Sequence, residues 1–84
     1  MVTLQTLIEK VENKRRILFY FGRIKYNFDH FTSEDAIQNV YTSFLRRFKD
    51  NKEIILNSEE DLDRYVIQCF NRKCFDIYRT KKRE

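Results

Sequence analysis

A chain of 84 residues with 17 Lys and Arg against 13 Asp and Glu is one small, mildly basic domain of net charge +4, compatible with a nucleic-acid partner without demanding one. Eight Phe, five Tyr, a single Gly and no Pro argue for long helices around an aromatic core and exclude an all-β fold, which needs many turn residues. No apolar run reaches the roughly 20 residues of a membrane span, and the polar and acidic residues within the first ten read against a signal peptide, so a cytoplasmic protein without a membrane partner is expected.

The expected architecture is a small all-α bundle of three to four helices. The first helical stretch covers about residues 2–27 and carries two apolar stripes. Leu4, Leu7, Ile8, Val11, Leu18 and Phe19 form one, and Ile17, Phe21, Ile24 and Phe28 the other. Two stripes mean either a helix covered on two sides or two helices joined near residues 13–16, the reading favoured here. Gly22 lies inside the pattern, where glycine costs about 1 kcal/mol against alanine, so a close helix–helix approach is expected there.

Residues 27–32 read as a loop whose Phe28 and Phe31 fold back on the core. His30 is expected to be a loop residue rather than a catalyst. Thr32 or Ser33 then caps a helix over 33–48, with Glu34 and Asp35 in its first turn. Its apolar face is Ile37, Val40, Tyr41, Phe44, Leu45 and Phe48. The opposite face holds Asp35, Gln38, Asn39, Thr42 and Arg46 and no hydrophobe. Residues 49–57 form a second loop, in which Ile54, Ile55 and Leu56 are unusually apolar.

The last helix spans 58–83. Ser58 and Asp61 have capping-box spacing, acids crowd the first turns, and Arg79, Lys81, Lys82 and Arg83 crowd the last, as the helix dipole favours. Leu62, Val66, Cys69, Phe70, Lys73 and Ile77 share one face. Lys73 must therefore meet a carboxylate or lead its ammonium out along its stem. Cys69 and Cys74 point in different directions on one helix, so they form neither a disulfide nor, with one His in the chain, a zinc site. Both are expected to behave as small hydrophobes. Phe75 and Tyr78 interleave with the cations, a pattern that suits phosphates and unpaired bases. There is no Gly-rich phosphate loop, Ser/His/Asp order or Cys/His pairing, so neither an enzyme nor a cofactor is expected.

Two stretches together resemble region 2 of bacterial sigma factors, above all the short extracytoplasmic-function type. Glu34-Asp35-Ala36-Ile37-Gln38-Asn39-Val40-Tyr41 is similar to that family's third-helix pattern of an acidic pair, an aliphatic residue, Gln and an aromatic. Arg72-Lys73-Cys74-Phe75-Asp76-Ile77-Tyr78-Arg79, followed by a basic run, is similar to its fourth-helix ending. The chain departs from the pattern at Arg72, where the family has Asn, at Asn39, where it has Glu, and in lacking Trp. The family continues into a region 4; this sequence ends at Glu84, so the chain is expected to be a region 2 domain of a longer protein or a minimal sigma-like protein.

The resemblance implies a transcription initiation domain. Its third helix would dock on the β′ clamp helices of core RNA polymerase through Asp35, Gln38, Asn39 and Arg46, with Thr42 on the same face. Arg72, Lys73, Arg79, Lys81, Lys82 and Arg83 would contact promoter DNA. Lys49, Asn51, Lys52 and Asn57 would capture bases of the single-stranded −10 element. An anti-sigma factor is a candidate further partner. The alternative is a sigma mimic, of the kind a phage encodes, that occupies the polymerase without opening promoters.

Overall fold

The computed structural model describes residues 2–50 and 58–83, with side chains through Thr80. Among them the chain is all-α, with four helices: α1 (Leu4–Asn13), α2 (Arg15–Tyr26), α3 (His30–Lys49) and α4 (Glu59–Arg83). The 25 residues of α4, at about 1.5 Å per residue, account for the 39 Å long axis. Successive contacts of Lys14 with Asp63, Phe21 with Phe70 and Tyr26 with Tyr78 show that α2 runs parallel to α4. The pairs Phe19–His30 and Arg15–Glu34 show α3 running against α2. α3 packs on each of the other three helices.

Thr3 caps α1 by accepting from the Thr6 N–H at 3.1 Å. The chain then turns at one residue, Lys14, whose N–H still donates to Lys10 and Val11 while its carbonyl accepts the first bond of α2 from Leu18. That joint lets Leu7 and Val11 of α1 and Leu18 of α2 all enter the core, with Phe28, Ala36, Ile37, Val40, Phe44, Leu62, Val66, Phe70 and Cys74. α2 ends on Asn27 in the left-handed region, φ 56°, a conformation Asn tolerates better than most residues. The N–H groups of Asn27 and Phe28 return to the carbonyls of Arg23 and Gly22.

α3 begins three residues earlier than the sequence suggests. Asp29 is the cap, its carboxylate accepting from the Thr32 N–H at 2.8 Å. Thr32 and Ser33 are buried inside the helix instead of capping it. Glu34 and Asp35 therefore stand beyond the first turn, and Glu34 is drawn to Arg15 of α2. Ser33 has a second reason to be buried. A Cβ at Gly22 would lie 2.8 Å from Ser33 Oγ and 3.7 Å from the Phe70 ring, so Gly22 is where α2 comes closest to α3 and α4.

On α4 the buried ridge is Leu62, Val66, Phe70 and Cys74, an unbroken i+4 row of the kind that packs into grooves of neighbouring helices. Cys74 thus takes the core place expected for Cys69, which is half-buried; both thiols are free. Burial pushes the Cys74 thiol up to about 12. Lys73 lies at the flank of the ridge, half-buried and with no ion pair among the described residues, so it takes no carboxylate into the core. Four large apolar residues expected inside are exposed: Ile17 and Ile24 on α2, and Phe31 and Leu45 on α3.

Charge pairs clamp the helices outside this core. Lys10 donates to Glu59 at 2.7 Å and lies 3.0 Å from Asp63, which also faces Lys14 at 3.6 Å. Arg15 pairs with Glu34, whose other oxygen accepts from Gln38 at 3.0 Å. Tyr41 donates to Glu12, joining α3 to α1.

Two outcomes are expected. Gly22→Ala should destabilise the domain by about 1–3 kcal/mol through overpacking. Combined with Ser33→Ala it should become far milder, because the clash is gone and alanine's helix propensity remains; denaturant unfolding of the four-member cycle measures this. Acid sensitivity is the second. The Lys10 bond holds Asp63 below the ordinary carboxylate range, and the Arg15 and Gln38 bonds do the same for Glu34. Both groups bind protons less readily folded than unfolded. Their stabilisation is present above the ordinary value near pH 4 and is lost as pH falls through their lower folded values. Thermal midpoints across that range should fall less steeply for Asp63→Asn, Glu34→Gln than for the parent chain.

Candidate protein and nucleic-acid interfaces

α3 is two-sided. Its buried side is built from Ser33, Ala36, Ile37, Val40 and Phe44, and Phe44 stacks on Tyr65 with ring centroids 5.9 Å apart. Asp35, Gln38, Asn39, Thr42 and Arg46 are all exposed on the other side. Their roles in the fold differ. Gln38 supports Glu34, and Thr42 Oγ1 donates to the Gln38 carbonyl at 3.0 Å. The side chains of Asp35, Asn39 and Arg46 make no hydrogen bond or ion pair among the described residues. Phe31 and Leu45, 79% and 53% exposed, lie at the two ends of this face, so it is not free of hydrophobes. At ~100° per residue Phe31 falls within the arc of the polar residues and Leu45 just beside it, next to Gln38.

α2 carries a second surface. Arg15–Tyr26 contains no acid, and Ile17, Tyr20 and Ile24 stand exposed along its outer side beside Arg16 and Arg23. Beside it is a cleft of about 590 Å³ lined by Phe19, Tyr20, Arg23, Asn27, Phe28, Asp29, His30 and Ser33. His30 is the first residue of α3, and its ring stacks on Phe19 at 4.6 Å, nearly parallel, while Arg15 lies 5.4 Å from the same Phe19 ring.

The basic end of α4 is the third surface. Arg72 and Arg79 are exposed. Arg79 sits 3.8 Å from Asp76 and 5.8 Å from the centroid of Phe75. α4 continues through Arg83, but the side chains of Lys81, Lys82 and Arg83 lie outside the described ones. So do residues 51–57, and with them the base-capture roles of Asn51, Lys52 and Asn57. Lys49 is exposed at the end of α3. Near it, Ser43, Arg46, Arg47 and Asp50 line a shallow cleft of about 210 Å³, and Arg47 donates to the Tyr65 hydroxyl at 3.4 Å.

The structure brings Lys25, Tyr26 and Asn71 to the exposed rings of Phe75 and Tyr78, a grouping that helical periodicity does not reveal. Among the described residues no three His, Cys, Asp or Glu side chains gather as a metal site, and no helix is long and apolar enough to cross a membrane. Comparisons with protein-family models, curated proteins and solved structures return no match.

The exposed hydrophobes generate a direct expectation. Ile24→Ser and Phe31→Ser should each change stability by under about 0.5 kcal/mol, as surface substitutions do, and should shorten retention on a hydrophobic-interaction column. A thermal midpoint lowered by many degrees would place these side chains in the core instead.

Proposed function

We propose that this chain is a sigma region 2-like domain that docks on the β′ clamp helices of core RNA polymerase and contacts the non-template strand of the −10 element, without a cofactor and without catalysing a reaction itself. The observation that carries the reading is the outer face of α3. The four residues that the resemblance assigns to the polymerase, with Thr42 beside them, share one exposed side of the helix that anchors the bundle, and Asp35, Asn39 and Arg46 are unused by the fold. A polar side chain with no partner within its own domain is free to pair across an interface, where opposite charges steer encounter and fix register. Asp35 and Arg46 offer both signs, and Phe31 and Leu45 add apolar area at the ends. The exposed Arg72 and Arg79, with Lys81, Lys82 and Arg83 beyond them, supply the phosphate-neutralising charge of the DNA role.

A second reading, a regulatory mimic that occupies the polymerase without opening promoters, is favoured by one feature. Ile17, Tyr20 and Ile24 form an exposed apolar row on α2, and such patches mark protein interfaces.

Gln38 is a poor residue for testing the docking face, because its loss also disturbs the Glu34–Arg15 pair. Asp35→Arg, Asn39→Ala and Arg46→Glu avoid that problem. The triple variant should keep the helicity and thermal midpoint of the parent and lose binding to core polymerase by tenfold or more, roughly the 1.4 kcal/mol that a few interfacial charges supply. Unchanged binding at unchanged helicity removes the docking assignment. Binding lost by the triple variant, together with no preference of the parent complex for −10 non-template strand over random strand, selects the mimic.

A further inference from the structure

We propose that the cleft between the end of α2 and the second half of α4 is a stacking site for an unpaired base of single-stranded nucleic acid. The proposal deepens the nucleic-acid half of the reading above and draws in α2, to which the resemblance assigns no contact. The cleft measures about 440 Å³ and is lined by Lys25, Tyr26, Asn71, Phe75 and Tyr78. That volume lies within the range of about 300–1,000 Å³ usual for ligand clefts.

Three of its five lining residues are aromatic. Phe75 and Tyr78 are one helical turn apart and 50% and 40% exposed, although rings of this size normally find cover in so aromatic a chain. Tyr26 lies between the helices, its ring centroid 5.8 Å from that of Tyr78 and 5.3 Å from that of Phe28. Its hydroxyl donates to Asn71 Oδ1 at 2.6 Å, so the ring is held in place before any ligand arrives. Lys25 Nζ donates to the same oxygen at 3.1 Å. With Oδ1 engaged twice, the Asn71 NH₂ group is the part of that amide left to donate to base-edge acceptors.

The charges complete the argument. No acid lines the cleft, and Lys25 stands on its wall. Arg79 covers the Phe75 ring, and its partner Asp76 is the nearest acid on that stretch of α4. Arg72 is exposed one residue from Asn71 with no ion pair among the described residues. Aromatic faces for a base, with cations at the rim for the flanking phosphates, are what single-strand sites combine. An apolar ligand would leave the cations without a use, and a phosphate alone would leave the rings without one.

The test is a titration of the isotope-labelled 84-residue chain at low ionic strength, followed by amide and side-chain chemical shifts. The probes are a thymidine oligomer, a uridine oligomer and an abasic oligomer of equal length, which keeps the phosphates and lacks the bases. Shifts should centre on Lys25, Tyr26, Asn71, Phe75 and Tyr78, and the abasic strand should bind more weakly than either base-bearing strand. Tyr78→Ala and Phe75→Ala should each weaken the thymidine strand about 5- to 150-fold, equivalent to about 1–3 kcal/mol, and leave the abasic strand unchanged. Lys25→Ala should weaken both strands and lower the log–log salt slope by about 0.7. Equal affinity for thymidine and abasic strands, equal losses on both when the rings are removed, or no shift at these five residues overturns the proposal. A stronger response to uridine than to thymidine keeps the site and assigns it to RNA. No polymerase is present in this titration, so its failure leaves the α3 docking assignment standing, and loss of docking leaves the cleft standing.

Discussion

Where α2 crosses α3, the Gly22 backbone lies so near Ser33 that even a methyl group would stand 2.8 Å from its hydroxyl, and the Phe70 ring of α4 closes the same junction. Three helices therefore meet at one glycine. The arrangement sets the rotation of α3 about its axis, because Ser33 has to face α2. At ~100° per residue, the middle of the Asp35–Arg46 face lies about 160° round the helix from Ser33. The contact that orders the core also turns the polar row to solvent. The Arg15–Glu34 pair and the Tyr41–Glu12 bond act on the flank of α3 and oppose its rotation in either sense.

The same junction governs the other two surfaces. With Gly22 and Leu18 committed to the core, Ile17, Tyr20 and Ile24 fall on the far side of α2, and no fifth helix covers them among the described residues. Because α2 runs parallel to α4, its C-terminal end arrives at the basic half of α4, and Lys25 and Tyr26 join Asn71, Phe75 and Tyr78. One packing constraint thus divides the surface into a polar face, an apolar ridge flanked by arginines, and an aromatic cleft rimmed by cations. Each has a chemistry suited to a different kind of contact.

Much of this was legible in the sequence, for reasons that can be named. The absence of proline and the apolar periodicity required helices, and the lone glycine within a periodic stretch announced the close approach at Gly22. The polar residues of α3 share an arc, and they are exposed as a set. Other features were hidden because their causes lie elsewhere in the chain. Asp29, Thr32 and Ser33 are all good caps by type; the space beside Gly22 draws Ser33 inward and leaves the role to Asp29. Ile17 and Ile24 look like core residues until the bundle has, among the described residues, four helices and none to cover them. Leu45 sits near the edge of the apolar arc of α3, where a small rotation decides burial, and Phe31 is carried to the polar side once α3 begins at His30. The i+4 ridge of α4 drifts round the helix, so Cys74 enters the core and Cys69 remains at its flank. Nothing local joins Tyr26 to Asn71, which are 45 residues apart in sequence.

The proposed docking uses the outer face of α3, and not the α2 ridge, to meet the polymerase. Site-specific photo-crosslinking tests it without altering the charges in question. A benzophenone side chain in place of Asn39 should crosslink to the clamp helices of the largest polymerase subunit, and one in place of Ile24 should not. Crosslinking from position 24 with none from position 39 would contradict the account.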